Sequence, residues 1–332
     1  MKLATTDQVF DCLSAYVDSA ALGTAIELGL FWLLAEQPLD APGVAQTLNI
    51  PARRCQYWLQ LLHSMGLVEQ VPAGYAPSTL ARSAILDTYN QQSWALLAQE
   101  DREKFSSVCD LAVHIQEPGS VKSAQVQRSY VEKMASDPDR ARRFTRMLYE
   151  LHQSLANRLI ELLDMTGVHR LLDLGGGSGV VSLALLRQHP HLTSTVVDIE
   201  NVCIAGREIA QDNSLSDRIT YQAADFVHDE LPGGYDMVLH CDIGLFQEAL
   251  YRKLWAALNR GGRLVMVEHF APAENVAHPA RLYWTFLDSL ADSDVTVMTV
   301  AKFQAQLSQV GFNLLPESTL LPNGRLVIQA RK

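Results

Sequence analysis

Short apolar runs alternate with amphipathic stretches along the second half of the chain. Leu171-Leu172-Asp173-Leu174 and Thr193–Asp198 each read as a buried strand, as do residues 219–226, 235–240 and 263–268. Between them, Val180–Gln188 and residues 247–258 carry helical spacing, and Arg260-Gly261-Gly262 marks a turn. Strands alternating with helices predict an α/β fold around a parallel sheet. The chain closes with a helix at Val300–Val310, a run at 312–315, the turn Pro322-Asn323-Gly324 and a run at 325–329. Asn-Gly signals a hairpin, and so short a connection cannot join parallel strands, so the last strand is expected to run antiparallel. In the first half, residues 21–34 are apolar almost all round except for Glu27, which predicts a buried or interface helix; charges recur too often for a membrane span. Residues 43–48, 53–65, 66–70 and 74–77 then read as helix, helix and β-wing. A helical stretch over 129–163 follows, with Met134, Met147, Tyr149 and His152 as wall residues that helical spacing assigns to packing more often than to a pocket.

The chemistry begins where the first of the second-half strands meets Gly175-Gly176-Gly177-Ser178-Gly179. Glycine accepts positive φ and lets a backbone approach a ligand where a strand turns into a helix, although a glycine-rich surface turn would look the same in isolation. A dinucleotide fingerprint fails here, because Val180 stands where the third glycine belongs. No triphosphate loop occurs either. Asp173, Gly175, Gly177 and Gly179 satisfy D-x-G-x-G-x-G, which fits a cofactor without phosphates, S-adenosylmethionine. Asp198 ends the next strand, where doubly wound folds place a carboxylate for ribose hydroxyls. Asp225 and Phe226 end the third, suited to an adenine amino group and ring face, or to starting a turn.

Composition narrows the setting. With 332 residues and 48% hydrophobic content the chain can hold two domains with real cores. A net charge of -10 repels nucleic acid, which weighs against a DNA-binding reading of the winged pattern despite Arg53 and Arg54 at the start of its second helix. Five scattered cysteines without a C-x-x-C pair and a start without a hydrophobic signal core point to a reducing, cytoplasmic setting. The ten histidines show no metal-ligand spacing, so no metal is expected.

Nearly the whole chain resembles the class I S-adenosylmethionine-dependent methyltransferases, and within them the plant caffeate-type and bacterial antibiotic-type small-molecule O-methyltransferases. Their first loop is typically D-x-G-G-G-x-G, matched in full by Asp173 to Gly179. The resemblance implies a Rossmann-like domain with a mostly parallel seven-stranded sheet and an antiparallel C-terminal hairpin, preceded by a mainly α-helical winged-helix dimerisation domain. It implies domains at 1–100 and 164–332, joined by a helical linker over 101–163 that roofs the active site. It also implies a homodimer acting on a small, aromatic or polyketide-like molecule, with no nucleic-acid or membrane partner. By the same likeness Asp198 holds the ribose, Asp225 and Phe226 the adenine, and the Gly175 region the methionine end; His240 is grouped with the cofactor residues. In the family a histidine after the fourth strand removes the hydroxyl proton. Here its position falls on Leu245 or Gly244, neither of which takes a proton, and a second family acid falls near Val297. The supporting glutamate matches as Glu268. His269 is then the first candidate base, with Asp242 and His240 nearby at the end of the fourth strand. Alternatives are an acceptor already ionised, held in line for transfer, or transfer to an enolisable carbon. A homologue that keeps the fold but only binds or regulates is the rival class.

Overall fold

The computed structural model describes residues 2–116 and 130–332, so Ser129, the expected start of the long helical stretch, lies outside the described residues. The chain divides into two compact units, Met1–Val108 and Cys109–Lys332.

In the smaller unit, the Thr5 side chain accepts from the Gln8 N–H and opens a helix at Thr6–Glu27. This helix starts well before the apolar stretch predicted at 21–34, and that stretch is two helices. Gly29, at φ +71°, turns the chain between Glu27 and a second helix, Leu30–Glu36. Against the sequence expectation, Thr6–Glu27 has the length and apolar composition of a membrane span. Helices Ala41–Thr47 and Ala52–Ser64 lead into β1 (Val68–Val71) and β2 (Gly74–Pro77), which pair antiparallel as the wing. Leu30, Phe31, Leu34, Val44, Leu59 and Leu62 form the core between them.

The larger unit is a seven-stranded sheet. Its strands are β3 (Arg170–Leu174), β4 (Thr193–Asp198), β5 (Ile219–Ala223), β6 (Tyr235–Cys241), β7 (Leu258–Glu268), β8 (Asn313–Leu320) and β9 (Leu326–Arg331). They lie in the order β5-β4-β3-β6-β7-β9-β8; the first five are parallel, and β9 runs antiparallel to both β7 and β8. Successive residues feed opposite faces. Leu171, Val196, Met237, Leu239, Val265 and Val267 pack under Gln153–Leu162, Val180–Gln188 and Glu200–Asp212, while Leu172, Val197, Val238, Leu264 and Met266 pack against Glu248–Ala257 and Val300–Val310.

Several elements of this unit differ from the sequence reading, and β8 extends to Leu320 beyond the expected run at 312–315. β5 stops at Ala223 rather than residue 226, because the Asp225 carboxylate accepts from the Val227 N–H and folds the chain into a turn. β7 begins at Leu258 and runs through Arg260-Gly261-Gly262, since Lys332 continues the ladder by exchanging hydrogen bonds with Gly261 and Gly262. The stretch predicted as one helix is three: Tyr130–Ser136, Pro138–Leu151 and Gln153–Leu162. Asp137 caps a fresh N-terminus at Pro138, and His152 sits in the second break. Met134 and Met147 are core residues.

Candidate active site

The glycine loop leaves the C-terminal end of β3 and is pinned from three sides. The Gly175 N–H donates to the Val197 carbonyl (2.8 Å), the Gly177 N–H to Asp198 Oδ2 (2.8 Å), and the Tyr221 hydroxyl to the Ser178 carbonyl (2.8 Å). Gly175, Gly177 and Gly179 take φ of +60°, +56° and +72°. At Gly179 a Cβ would stand 2.6 Å from the Tyr221 hydroxyl, so the loop is both left-handed and pressed onto the ring. Gly179 then starts the helix Val180–Gln188, whose first N–H groups face the loop.

Two acids are buried beneath this loop. Asp173 accepts from the Ser182 hydroxyl (2.6 Å), which also bonds Ser194 (2.8 Å), and a Cβ on Gly176 would touch the carboxyl. Asp198 accepts from Gly177 and, through Oδ1, from the Ile199 N–H (2.7 Å). Burial pushes both carboxyl groups up to about 6, and at Asp173 the charge of Asp198 adds to it. Phe226 lies beside Gly175, with a ring carbon 3.8 Å from where its Cβ would be. Asp225 is exposed and bonds His228 Nδ1 (2.7 Å); that contact is the largest cause holding its carboxyl below the ordinary value.

A second group gathers at the ends of β6 and β7. Ile243 packs on Gly175, its side chain 3.0 Å from a Cβ position there, so this group adjoins the loop. Glu268 Oε1 accepts from the N–H groups of Ile243 (2.7 Å) and Gly244 (3.0 Å). The carboxylate is therefore committed to holding that segment. His240 is fully enclosed inside β6, its Nδ1 3.4 Å from the same oxygen, and neither ring nitrogen has a hydrogen-bond partner among the described residues. Asp242 is held in the left-handed region at φ +54° and pairs with Arg325 at 2.7 and 2.8 Å, which leaves it no free role as a base. Leu245 and Phe246 pack into the core on the face of Glu248–Ala257 and Val300–Val310, and Gly244 carries no side chain.

His269 is partly buried, its Nδ1 has no hydrogen-bond partner among the described residues, and its ring lies 5.3 Å from that of His278. Burial, then the Arg325 charge, hold it below the ordinary histidine value, so it is neutral at pH 7. His152, in the break before Gln153–Leu162, is likewise lowered by burial and feels both Asp242 and Arg325. Tyr221, Ser182, Ser194 and Arg325 escaped the sequence reading. Nothing local marks them, though Tyr221 alternates with Ile219 on the inner face of β5. Among the described residues no group of three or more His, Cys, Asp or Glu could hold a metal ion.

An O-methyltransferase domain family matches residues 105–313, and an O-methyltransferase dimerisation domain family matches residues 10–86. The chain belongs to the O-methyltransferase family. As such it is an S-adenosylmethionine-dependent methyltransferase acting on small molecules. This O-methyltransferase is 32% identical to the 3-hydroxy-5-methyl-1-naphthoate 3-O-methyltransferase of Streptomyces sahachiroi, over 74% of its own chain and 72% of the relative. It is 26% identical to the tetracenomycin polyketide synthesis 8-O-methyl transferase TcmO of Streptomyces glaucescens, over 90% and 88%. Its fold matches PigF, solved with SAH, at a TM-score of 0.83, 20% identity and coverage of 99% and 100%. The mitomycin 7-O-methyltransferase MmcR matches at 0.82, with 18% identity and coverage of 98% and 97%.

Proposed function

We propose that the enzyme methylates the hydroxyl oxygen of a small aromatic acid or polyketide-like molecule, working as a homodimer in the cytoplasm. The observation that carries this reading is the partly buried His269, its Nδ1 without a hydrogen-bond partner among the described residues, next to the Glu268 that holds the segment bordering the glycine loop, in a chain that shares 32% identity with a hydroxynaphthoate O-methyltransferase. The residues present fit S-adenosylmethionine. A Cβ on Gly176 would fill the space over Asp173, and Asp198 is a desolvated carboxylate with lone pairs to spare for ribose hydroxyls. Phe226 offers a ring face beside Gly175 for the adenine, Asp225 an exposed carboxylate for its amino group, and Gly175, Gly177 and Gly179 the backbone cradle. His240 acts from below by packing against Glu268, not by direct contact.

Bound there, the cofactor supplies an electrophilic methyl group on a sulfonium. The chain's own contribution begins with position: Glu268 fixes the 242–244 segment that borders the loop, which sets where an acceptor sits. His269, neutral at pH 7, accepts the hydroxyl proton. Asp242 holds Arg325. The test is mass-spectrometric: incubation with isotopically labelled S-adenosylmethionine and a panel of hydroxynaphthoates and phenols, with the methylated position read by NMR. Label on oxygen is expected, and label on ring carbon, or on no acceptor while the cofactor binds, contradicts the proposal.

A further inference from the structure

The pair formed by Asp242 and Arg325 is more elaborate than a structural latch needs. Asp242 takes a left-handed backbone conformation, which few residues other than glycine, asparagine and aspartate adopt. Glu268 keeps it there by gripping the next two amides, Ile243 and Gly244. The outcome is a carboxylate aimed at one edge of the Arg325 guanidinium, where it takes Nε and Nη2. A guanidinium has two such edges, and the second matches a carboxylate fork to fork. No described residue takes Nη1 of Arg325, and its side chain is still 18% exposed.

The surroundings favour an anion. Beyond burial, Arg325 and Arg281 both lower the pKa of His269 and Asp242 raises it, while the adjoining Glu268 carboxylate is taken up by the Ile243 and Gly244 amides. The other facing groups are His278, whose ring touches that of His269, and His152, which faces Asp242 and Arg325 from the helical break. Arg281 is exposed and no described residue bonds its side chain. The position suits an acceptor: Arg325 immediately precedes β9, whose Leu326 pairs with Glu268, and Asp242 is followed by Ile243, which packs on Gly175. Ile243 against the glycine loop and Asp242 against the guanidinium are thus consecutive residues at the end of β6.

We propose that Arg325, assisted by Arg281, is the specificity-determining residue of the acceptor site, holding a carboxylate on the same aromatic molecule whose hydroxyl is turned toward His269. The acceptor class is thus an aromatic hydroxy acid rather than a neutral phenol. This rests on the reading of the site as an aromatic O-methyltransferase centre, and it adds that recognition is ionic. Asp242 is a positioning residue: it fixes the guanidinium plane and touches no substrate.

The experiment is calorimetry of the full chain saturated with S-adenosylhomocysteine, titrated with 3-hydroxy-2-naphthoate and with 2-naphthol, which lacks the carboxylate. The wild type is expected to bind the acid about tenfold or more tighter than the naphthol, the range of a charge-assisted bond. Arg325→Gln should abolish that preference with S-adenosylhomocysteine affinity unchanged, which also reports folding; Arg325→Lys, which keeps the charge but loses the fork, should keep part of it. Asp242→Asn breaks the bidentate grip that fixes the guanidinium plane, so the preference should shrink, though less than in Arg325→Gln. Absence of the preference in the wild type, its survival in Arg325→Gln, or an equal weakening of both probes by that variant would overturn the proposal. Methyl uptake is read separately. Methylated naphthol without a preference spares the proposed function and sinks the subsite, whereas a preference without oxygen methylation does the reverse.

Discussion

Asp198 and Asp173 show how single residues trade stability for binding. Each carboxyl is raised from 3.8 to about 6 in the folded chain, so below about pH 4 both folded and unfolded states hold the proton. As the pH climbs through about 6 the folded chain must ionise a buried group that the unfolded chain ionised earlier, and stability is lost in that window. The melting temperature of the cofactor-free wild type should therefore fall as the pH rises from about 4 to above 6, and Asp198→Asn, which does not ionise but cannot accept from both Gly177 and Ile199, should flatten that dependence. The same change should weaken S-adenosylmethionine binding by about 1–3 kcal/mol in calorimetry, because a charge-assisted acceptor is lost. His269 is tested by kinetics. His269→Ala should lower kcat with cofactor affinity unchanged, and wild-type kcat should fall only as the pH drops below 6.5, since burial and Arg325 hold the ring below that value. A profile that is flat to lower pH, or an active alanine variant, would transfer the proton to an acceptor that arrives ionised. At this scale the glycines and acids were legible because they are contiguous with a strand end. Arg325 was not, because it reaches Asp242 from 83 residues further along the chain, a proximity only the fold creates.

The glycine loop works as one piece with β5 and the helix Glu200–Asp212. The Tyr221 ring is wedged between Gly179 and Gly206, where added Cβ atoms would collide with it, while its hydroxyl holds Ser178. Gly179→Ala would meet both positive φ and the ring, and is expected to cost at least about 2 kcal/mol, read as a lowered urea midpoint. Tyr221→Phe keeps the ring and drops the bond, so it should weaken cofactor binding several-fold more than it lowers stability. Equal losses in both would make Tyr221 mere packing. The parallel sheet and its antiparallel ending followed from apolar runs and the turn at Asn323-Gly324, whereas the strand order did not. The helix breaks at Gly29 and His152 did not either, because neither carries a side-chain cap; the break at Asp137 is signalled by Asp137-Pro138 in a polar run, which the sequence reading missed.

At the scale of the molecule, the helix Thr6–Glu27 exposes Phe10, Leu13 and Tyr16. An O-methyltransferase dimerisation domain covers residues 10–86, and a second copy of this chain is the expected cover for that face. Leu13→Glu should then shift the protein from dimer to monomer in light scattering, while a wild type that is monomeric at micromolar concentration would contradict it. The sequence reading missed this face by starting the element at residue 21. The central claim is that the loop from Asp173 to Gly179 holds the methyl donor. Its most direct measurement is calorimetry of the wild type and of Asp198→Ala with S-adenosylmethionine and S-adenosylhomocysteine. The account predicts micromolar binding of both by the wild type and marked weakening of both by the variant. Failure of the wild type to bind either, or equal affinity in the variant, would contradict it.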